Sequence, residues 1–185
     1  MKKMLLVVLT VLAMATVANA ALTAKISVNG VVDPPDTSIR LLPSQEVIID
    51  IHAWNDVSAA VSIALLQGPA TLTKGANFWA WEQSNWYEMP AAEKPDYIAA
   101  FTDMGYLDIT NIYYGDIVDA SDPFTTPNGR VFDGLVFHCE GLGEAVLTLF
   151  DPDLGVLDSQ QIHQIPEPLT FALLGLGGLF LRRRK

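Results

Sequence analysis

The 185-residue chain has 21 acidic and 11 basic side chains, a net charge of −10, and half of its residues are hydrophobic. This acidic balance is the opposite of a nucleic-acid-binding domain, which needs a cationic face to meet phosphates. The single cysteine, Cys139, excludes an intramolecular disulfide framework, so the fold must be stabilised by packing.

The first twenty residues have the composition of a secretory signal peptide. Lys2 and Lys3 form a positive start, residues 4–17 form a short apolar stretch, and Ala18 and Ala20 supply a small-residue cleavage site. We expect Sec-type machinery to export the chain and signal peptidase to cleave it after Ala20. An uncleaved membrane anchor is the alternative.

The part that would be exported is more acidic than the whole chain. Residues 21–165 retain five basic and twenty acidic side chains, a net charge of −15. A field of that sign repels nucleic acid. It suits a solvated extracellular protein, or one that holds divalent cations.

Residues 21–161 are predicted to form one domain of short strands. Alternation is clearest in Glu46–Trp54, where Asp50 and His52 lie on a mixed face that should meet solvent or a loop. The other face should point to the core: Val47, Ile49, Ile51 and Ala53. Further strands are predicted at Ala24–Val28, Ile39–Leu42, Ala59–Gln67, Tyr106–Tyr114, Arg130–Cys139, Ala145–Phe150 and Val156–Gln161.

Residues 74–104 break this alternation and are predicted to be an aromatic-rich insertion between sheets. Proline near its start favours a short helix at Lys94–Phe101. Exposed rings on a β-domain can stack on sugar faces, which makes Trp79, Trp81 and Trp86 the candidate carbohydrate-binding residues. The alternative is that these rings plug one end of the domain.

The fold class is therefore all-β, a single β-sandwich with turn residues between its strands. The order of its pieces resembles a jelly roll of the cohesin-like or carbohydrate-binding-module-like type. Glu46–Trp54, and Gly134–Glu140 followed by Gly143–Leu149, carry this resemblance. It implies a fold and transfers no functional residue.

Calcium is the predicted metal, because hard cations prefer several oxygen ligands together. The candidate ligands are Asp151, Asp153 and Asp158, with a second acidic loop at Asp116, Asp119 and Asp122. Solvated loops are the alternative. Zinc-ligand spacing, a nucleophile elbow and a phosphate-binding glycine loop do not occur, so a catalytic role is not expected.

The last twenty residues combine three features. Pro166, Glu167 and Pro168 favour an extended, accessible segment. Residues 169–181 are apolar and would form a helix of ~20 Å. A bilayer core of ~30 Å exceeds this length, and snorkelling or local thinning would cover the gap. The chain then ends in a basic cluster that favours the cytoplasmic side: Arg182, Arg183, Arg184 and Lys185.

This tail resembles the PEP-CTERM sorting signal of bacterial exported proteins, which is also known as an ice-binding protein C-terminal domain. The resemblance implies that residues 166–185 anchor the protein transiently in the inner membrane. It also implies that an exosortase cuts near the motif and passes the protein to the surface or to exopolysaccharide.

Together these patterns predict a signal peptide at 1–20, a β-domain at 21–161, a linker at 162–165 and a sorting signal at 166–185. The predicted role is a non-catalytic component of the cell surface or extracellular matrix. A polysaccharide- or protein-binding module is the first alternative, and an extracellular hydrolase is the second.

Overall fold

The computed structural model describes residues 22–54, 60–81, 85–117 and 129–166. The predicted signal peptide, and the tail after Pro166, lie outside these residues. The strands are β1 (Thr23–Val28), β2 (Val31–Val32), β3 (Arg40–Leu41), β4 (Glu46–Trp54), β5 (Ala60–Gln67), β6 (Ala70–Ala80), β7 (Asn85–Glu88), β8 (Ile109–Ile117), β9 (Arg130–Cys139), β10 (Gly143–Asp151) and β11 (Gly155–Gln164). A 3₁₀ turn covers Asp36–Ser38, and one helix, α1, covers Lys94–Asp103.

The described strands form two sheets, which confirms the β-sandwich. The first sheet has the order β2-β1-β4-β9-β6, and the second has the order β3-β11-β10-β5-β8-β7. Neighbours are antiparallel except β3 and β11. This parallel pair joins β3, in the early part of the domain, to β11.

The main core lies between the two sheets. The predicted inner face of β4 is buried, and the alternating residues of β9 meet it. Cys139 belongs to this core, and burial raises the pKa of its thiol. Apolar side chains of β5 and β10, such as Leu66 and Leu147, complete the core from the second sheet.

A smaller core lies where α1 covers the second sheet. Ile63 and Leu65 of β5 are buried in it, whereas Ala64 and Leu66 of the same strand belong to the main core. The continuous apolar run in β5 is therefore explained by burial on both faces of the sheet. Phe101 of α1 contacts Phe150 edge to face, with ring centroids 5.4 Å apart. The predicted helix is confirmed, with proline in its first turn.

The predicted insertion at 74–104 is wrong at its start. Residues 74–80 continue β6, and Asn85–Glu88 form β7, so this aromatic segment supplies an edge strand to each sheet. A bulge hides the alternation, because the pairing with β9 shifts between Lys74 and Trp79. A Cβ atom at Gly75 would lie 2.6 Å from the Gly134 carbonyl oxygen, so the backbones of β6 and β9 approach each other closely here.

Two other predictions are corrected by the structure. The domain extends to Gln164, and residues 162–164 are not a linker, because β11 pairs with β10 and β3 up to that residue. Asp50 and His52 do not face solvent, since both are at most 5% exposed. The alternation correctly separated Asp50 and His52 from the core-facing residues of β4, but it did not predict that they are buried.

Trp86 of β7 fills the space between the sheets at the β6–β7 edge. Its ring lies parallel to Tyr113, with centroids 6.2 Å apart, and is tilted against Phe132 of the opposite sheet at 5.0 Å. Gly115 lies opposite Trp86 in the β7–β8 register. A Cβ at Gly115 would be 2.4 Å from Trp86 Cε3 and 2.9 Å from Phe132 Cζ. Glycine at position 115 therefore leaves room for the Trp86 indole.

We predict that Gly115→Ala lowers the free energy of unfolding by about 1–3 kcal/mol, because the added methyl overpacks the indole. At an uncrowded site, the same change would stabilise by about 0.4–1 kcal/mol. Urea unfolding of the purified protein measures the difference.

Ser62→Ala is the matched control. Ser62 pairs with Gly115 in the β5–β8 register, and its buried hydroxyl has no partner among the described residues. Removing that hydroxyl should be neutral or stabilising. A Gly115→Ala variant as stable as the native protein would contradict the proposed packing.

Candidate functional site

A groove of about 330 Å³ opens between β6 and β7, the edge strands of the two sheets. Leu72, Trp86 and Tyr113 line it and are at least 97% buried, so its base is rigid and largely aromatic. Lys74 lines it from β6, and Tyr87 lines it from β7. The groove is at the small end of ligand pockets, which typically enclose ~300–1,000 Å³.

The groove contains a cation held by aromatic rings. Lys74 Nζ lies 4.9 Å from the ring centroid of Phe78 and 5.5 Å from that of Tyr87. Cation–π contacts of this length are attractive. Among the described residues, Lys74 makes no ion pair with a carboxylate, whereas Lys25, Lys94 and Arg130 each do.

A hydrogen-bond network connects the groove to β8. The Tyr113 hydroxyl accepts bonds from the Leu72 amide at 3.1 Å and from Asn111 Nδ2 at 2.9 Å. Glu88 accepts bonds from Asn111 at 2.8 Å and from Lys94 at 3.1 Å. The bonds from Asn111 and Lys94 lower the pKa of Glu88 and keep it ionised. The Glu88 carboxylate thus already accepts hydrogen bonds from Asn111 and Lys94, whereas Lys74 and Tyr113 retain donor hydrogens.

The three candidate tryptophans do not form one platform. Trp79 is 44% exposed, and it meets the half-buried Trp81 edge to face at 6.3 Å. Trp86 is 2% exposed and packs between the sheets, so it cannot offer its face to a sugar. The alternative that these rings plug the domain holds for Trp86. Apart from the aromatic residues nearby, no sequence pattern indicated that Lys74, Tyr87 and Tyr113 would line a groove.

The candidate calcium ligands Asp151 and Asp158 have different hydrogen-bond partners. Asp151 Oδ1 accepts the amides of Asp153 and Leu154 at 2.8 and 2.9 Å, and so caps the β10–β11 turn. Asp158 instead contacts β1. The described residues contain no cluster of three or more His, Cys, Asp or Glu side chains that could hold a metal ion. In the second acidic loop, Asp119 and Asp122 lie outside the described residues.

Asp158 joins the two sheets. Its Oδ2 accepts the Ile26 amide at 2.7 Å, and its Oδ1 lies 3.0 Å from Lys25 Nζ. Lys25 also pairs with the more exposed Asp33 at 3.1 Å, and both carboxylates raise the pKa of Lys25. Asp158, a predicted calcium ligand, therefore forms a cross-sheet ion pair in the structure.

Asp50 and Asp133 form an acidic pair beside the bulge in β9. Asp50 Oδ1 accepts the Gly134 amide at 2.9 Å, which satisfies a donor that the β4–β9 ladder leaves free. Burial, together with a hydrogen bond to Asp133, raises the pKa of Asp50 to about 6. Asp50 therefore keeps its proton at mildly acid pH, where an unfolded aspartate would lose it.

The predicted sorting motif would start directly after the described β-domain. Gln164 is the last strand residue of the described part of the chain, and Pro166, the first residue of the predicted motif, is half-buried. The described residues contain no helix long and apolar enough to cross a membrane. The other predicted sorting and cleavage residues lie outside the described residues: Ala18, Ala20, Glu167, Pro168, Arg182, Arg183 and Arg184.

Comparisons with known proteins identify no family. No protein-family model matches the chain, and no curated protein matches its sequence. One similar solved structure is a non-cellulosomal cohesin from the hyperthermophilic archaeon Archaeoglobus fulgidus. It has 8% identity and a TM-score of 0.37, and the match covers 81% of this chain and 96% of that one.

We predict that Asp158→Ala lowers the free energy of unfolding by about 1–3 kcal/mol, because it leaves a buried backbone amide unpaired. Asp33→Ala removes the other partner of Lys25 and should cost less than about 1 kcal/mol, as an exposed ion pair does. Urea unfolding compares the two variants. Equal losses would contradict a special role for Asp158.

We predict that Asp50 makes the protein more stable at pH 5 than at pH 8. Folded Asp50 holds its proton more tightly than the ordinary aspartate, whose pKa is 3.8. Its contribution is therefore complete below pH 3.8 and is lost as the pH rises through about 6. Asp50→Asn should remove this component, whereas Glu46→Gln, at an exposed site on the same strand, should retain it. An unchanged pH profile in Asp50→Asn would refute the assignment.

Proposed function

We propose that this chain is an exported, non-catalytic surface or matrix protein that is sorted through its C-terminal signal by an exosortase. The observation that carries the proposal is the position of the two end signals relative to the fold. The first strand begins at Thr23, just after the proposed cleavage at Ala20, and the last ends at Gln164, just before Pro166. Removal of both proposed signals would therefore leave every described strand in place.

The charge distribution supports this route. The proposed exported part carries a net charge of −15, and the basic residues of the tail are confined to its last four positions. A basic end retained on the cytoplasmic side would hold the apolar segment in the inner membrane until cleavage. After cleavage, the acidic domain remains soluble in the periplasm, at the cell surface or outside the cell.

We predict that Glu167→Ala causes the precursor to accumulate in the membrane fraction, because it removes the acidic residue of the PEP motif. Glu93→Ala changes an exposed glutamate of the domain and should be processed normally. Immunoblots of fractionated cells, with intact-mass analysis of each form, provide the measurement. Normal release of the Glu167→Ala protein would contradict exosortase sorting.

A polysaccharide-binding role is the second candidate, and the β6–β7 groove favours it. The groove combines an aromatic base and a buried hydroxyl with the Lys74 cation, which has no carboxylate partner among the described residues. This combination suits recognition rather than hydrolysis. Glycoside hydrolysis uses a carboxylic acid of raised pKa with a second carboxylate. Glu88, the carboxylate lining this groove, has a lowered pKa instead. Cosedimentation of the protein with its native exopolysaccharide tests the binding role, and recovery only in the supernatant would contradict it.

A further inference from the structure

We propose that the β6–β7 groove binds a hexuronate, a six-membered sugar ring bearing a carboxylate, as one unit of a polysaccharide. The carboxylate would meet Lys74, and the ring would lie against Tyr87. This inference rests on the polysaccharide-binding role proposed above and names the chemical class of its ligand.

The first argument is the state of Lys74. Lys74 has no carboxylate partner among the described residues, although the domain has four acidic residues for each basic one. Two aromatic rings hold its ammonium at the groove, and aromatic rings attract a cation without neutralising its charge. A ligand carboxylate could therefore accept charge-assisted hydrogen bonds from it.

The second argument is the Tyr113 hydroxyl. This side chain is 97% buried, lines the groove, and already accepts two hydrogen bonds, from Leu72 and Asn111. A hydroxyl has two acceptor lone pairs and one donor hydrogen. No acceptor for that hydrogen occurs among the described residues. A sugar hydroxyl or ring oxygen in the groove would provide one.

The third argument is shape. Tyr87 is 42% exposed at the groove wall, and its ring can cover the apolar C–H face of a pyranose. A volume of about 330 Å³ suits one or two sugar units rather than a long peptide.

The experiment is saturation-transfer difference NMR on the full-length chain in a phosphocholine detergent. The two probes are methyl β-D-glucuronide and methyl β-D-glucoside, which differ only in the carboxylate. We expect the glucuronide to bind about tenfold more tightly, equivalent to ~1.4 kcal/mol. Its ring protons should receive the strongest saturation, because they would contact Tyr87.

Two variants locate the interaction. Lys74→Met keeps the aliphatic stem and removes the charge, so the glucuronide preference should disappear. Arg40→Met is the matched control, because it removes a cation from β3, at the opposite edge of the second sheet, and it should retain the preference.

Three outcomes would overturn the inference. Equal affinity for both sugars would remove the carboxylate requirement while leaving a neutral polysaccharide as the ligand. A preference that survives Lys74→Met would place the carboxylate elsewhere. Binding of a glutamate-rich peptide as tight as that of the glucuronide, and equally lost in Lys74→Met, would assign the groove to a protein partner.

Discussion

The packing of Trp86 against Gly115 is the constraint on which the β6–β7 edge depends. β6 and β7 are edge strands of different sheets and do not pair with each other, and the Trp86 ring fills the space beside them and contacts Phe132 of the opposite sheet. Only a residue without a side chain on β8 leaves room for it. The buried indole then becomes the base of a groove rather than an exposed platform, because Tyr113 covers it in parallel.

Charged side chains have different roles in the groove and at two other described sites. Asp158 links β11 to β1, and Asp151 caps a turn. In the groove, Glu88 is paired with Lys94 and Asn111, which leaves the cation of Lys74 to its aromatic neighbours. An acidic domain thus presents a local donor surface, and this contrast is what favours an anionic sugar over a metal ion as its ligand.

Local patterns in the sequence were sufficient to predict much of the fold. Period-two alternation identified β4 with its buried face and also the strand β9, and proline placement identified α1. The strand character of β6 was missed because its bulge breaks the alternation. The sites were less predictable, because they depend on contacts between distant residues. Asp158 meets Lys25 across 133 positions, and the burial of Trp86 depends on Gly115 on another strand.

A crystal structure of the protein with methyl β-D-glucuronide would show directly whether the groove binds a hexuronate. We expect a sugar in the β6–β7 groove, with a carboxylate oxygen within 4 Å of Lys74 Nζ, the distance of an ion pair. We also expect Trp86 to stay buried beneath the sugar. A sugar bound at the Trp79–Trp81 pair, with the groove left empty, would contradict this expectation.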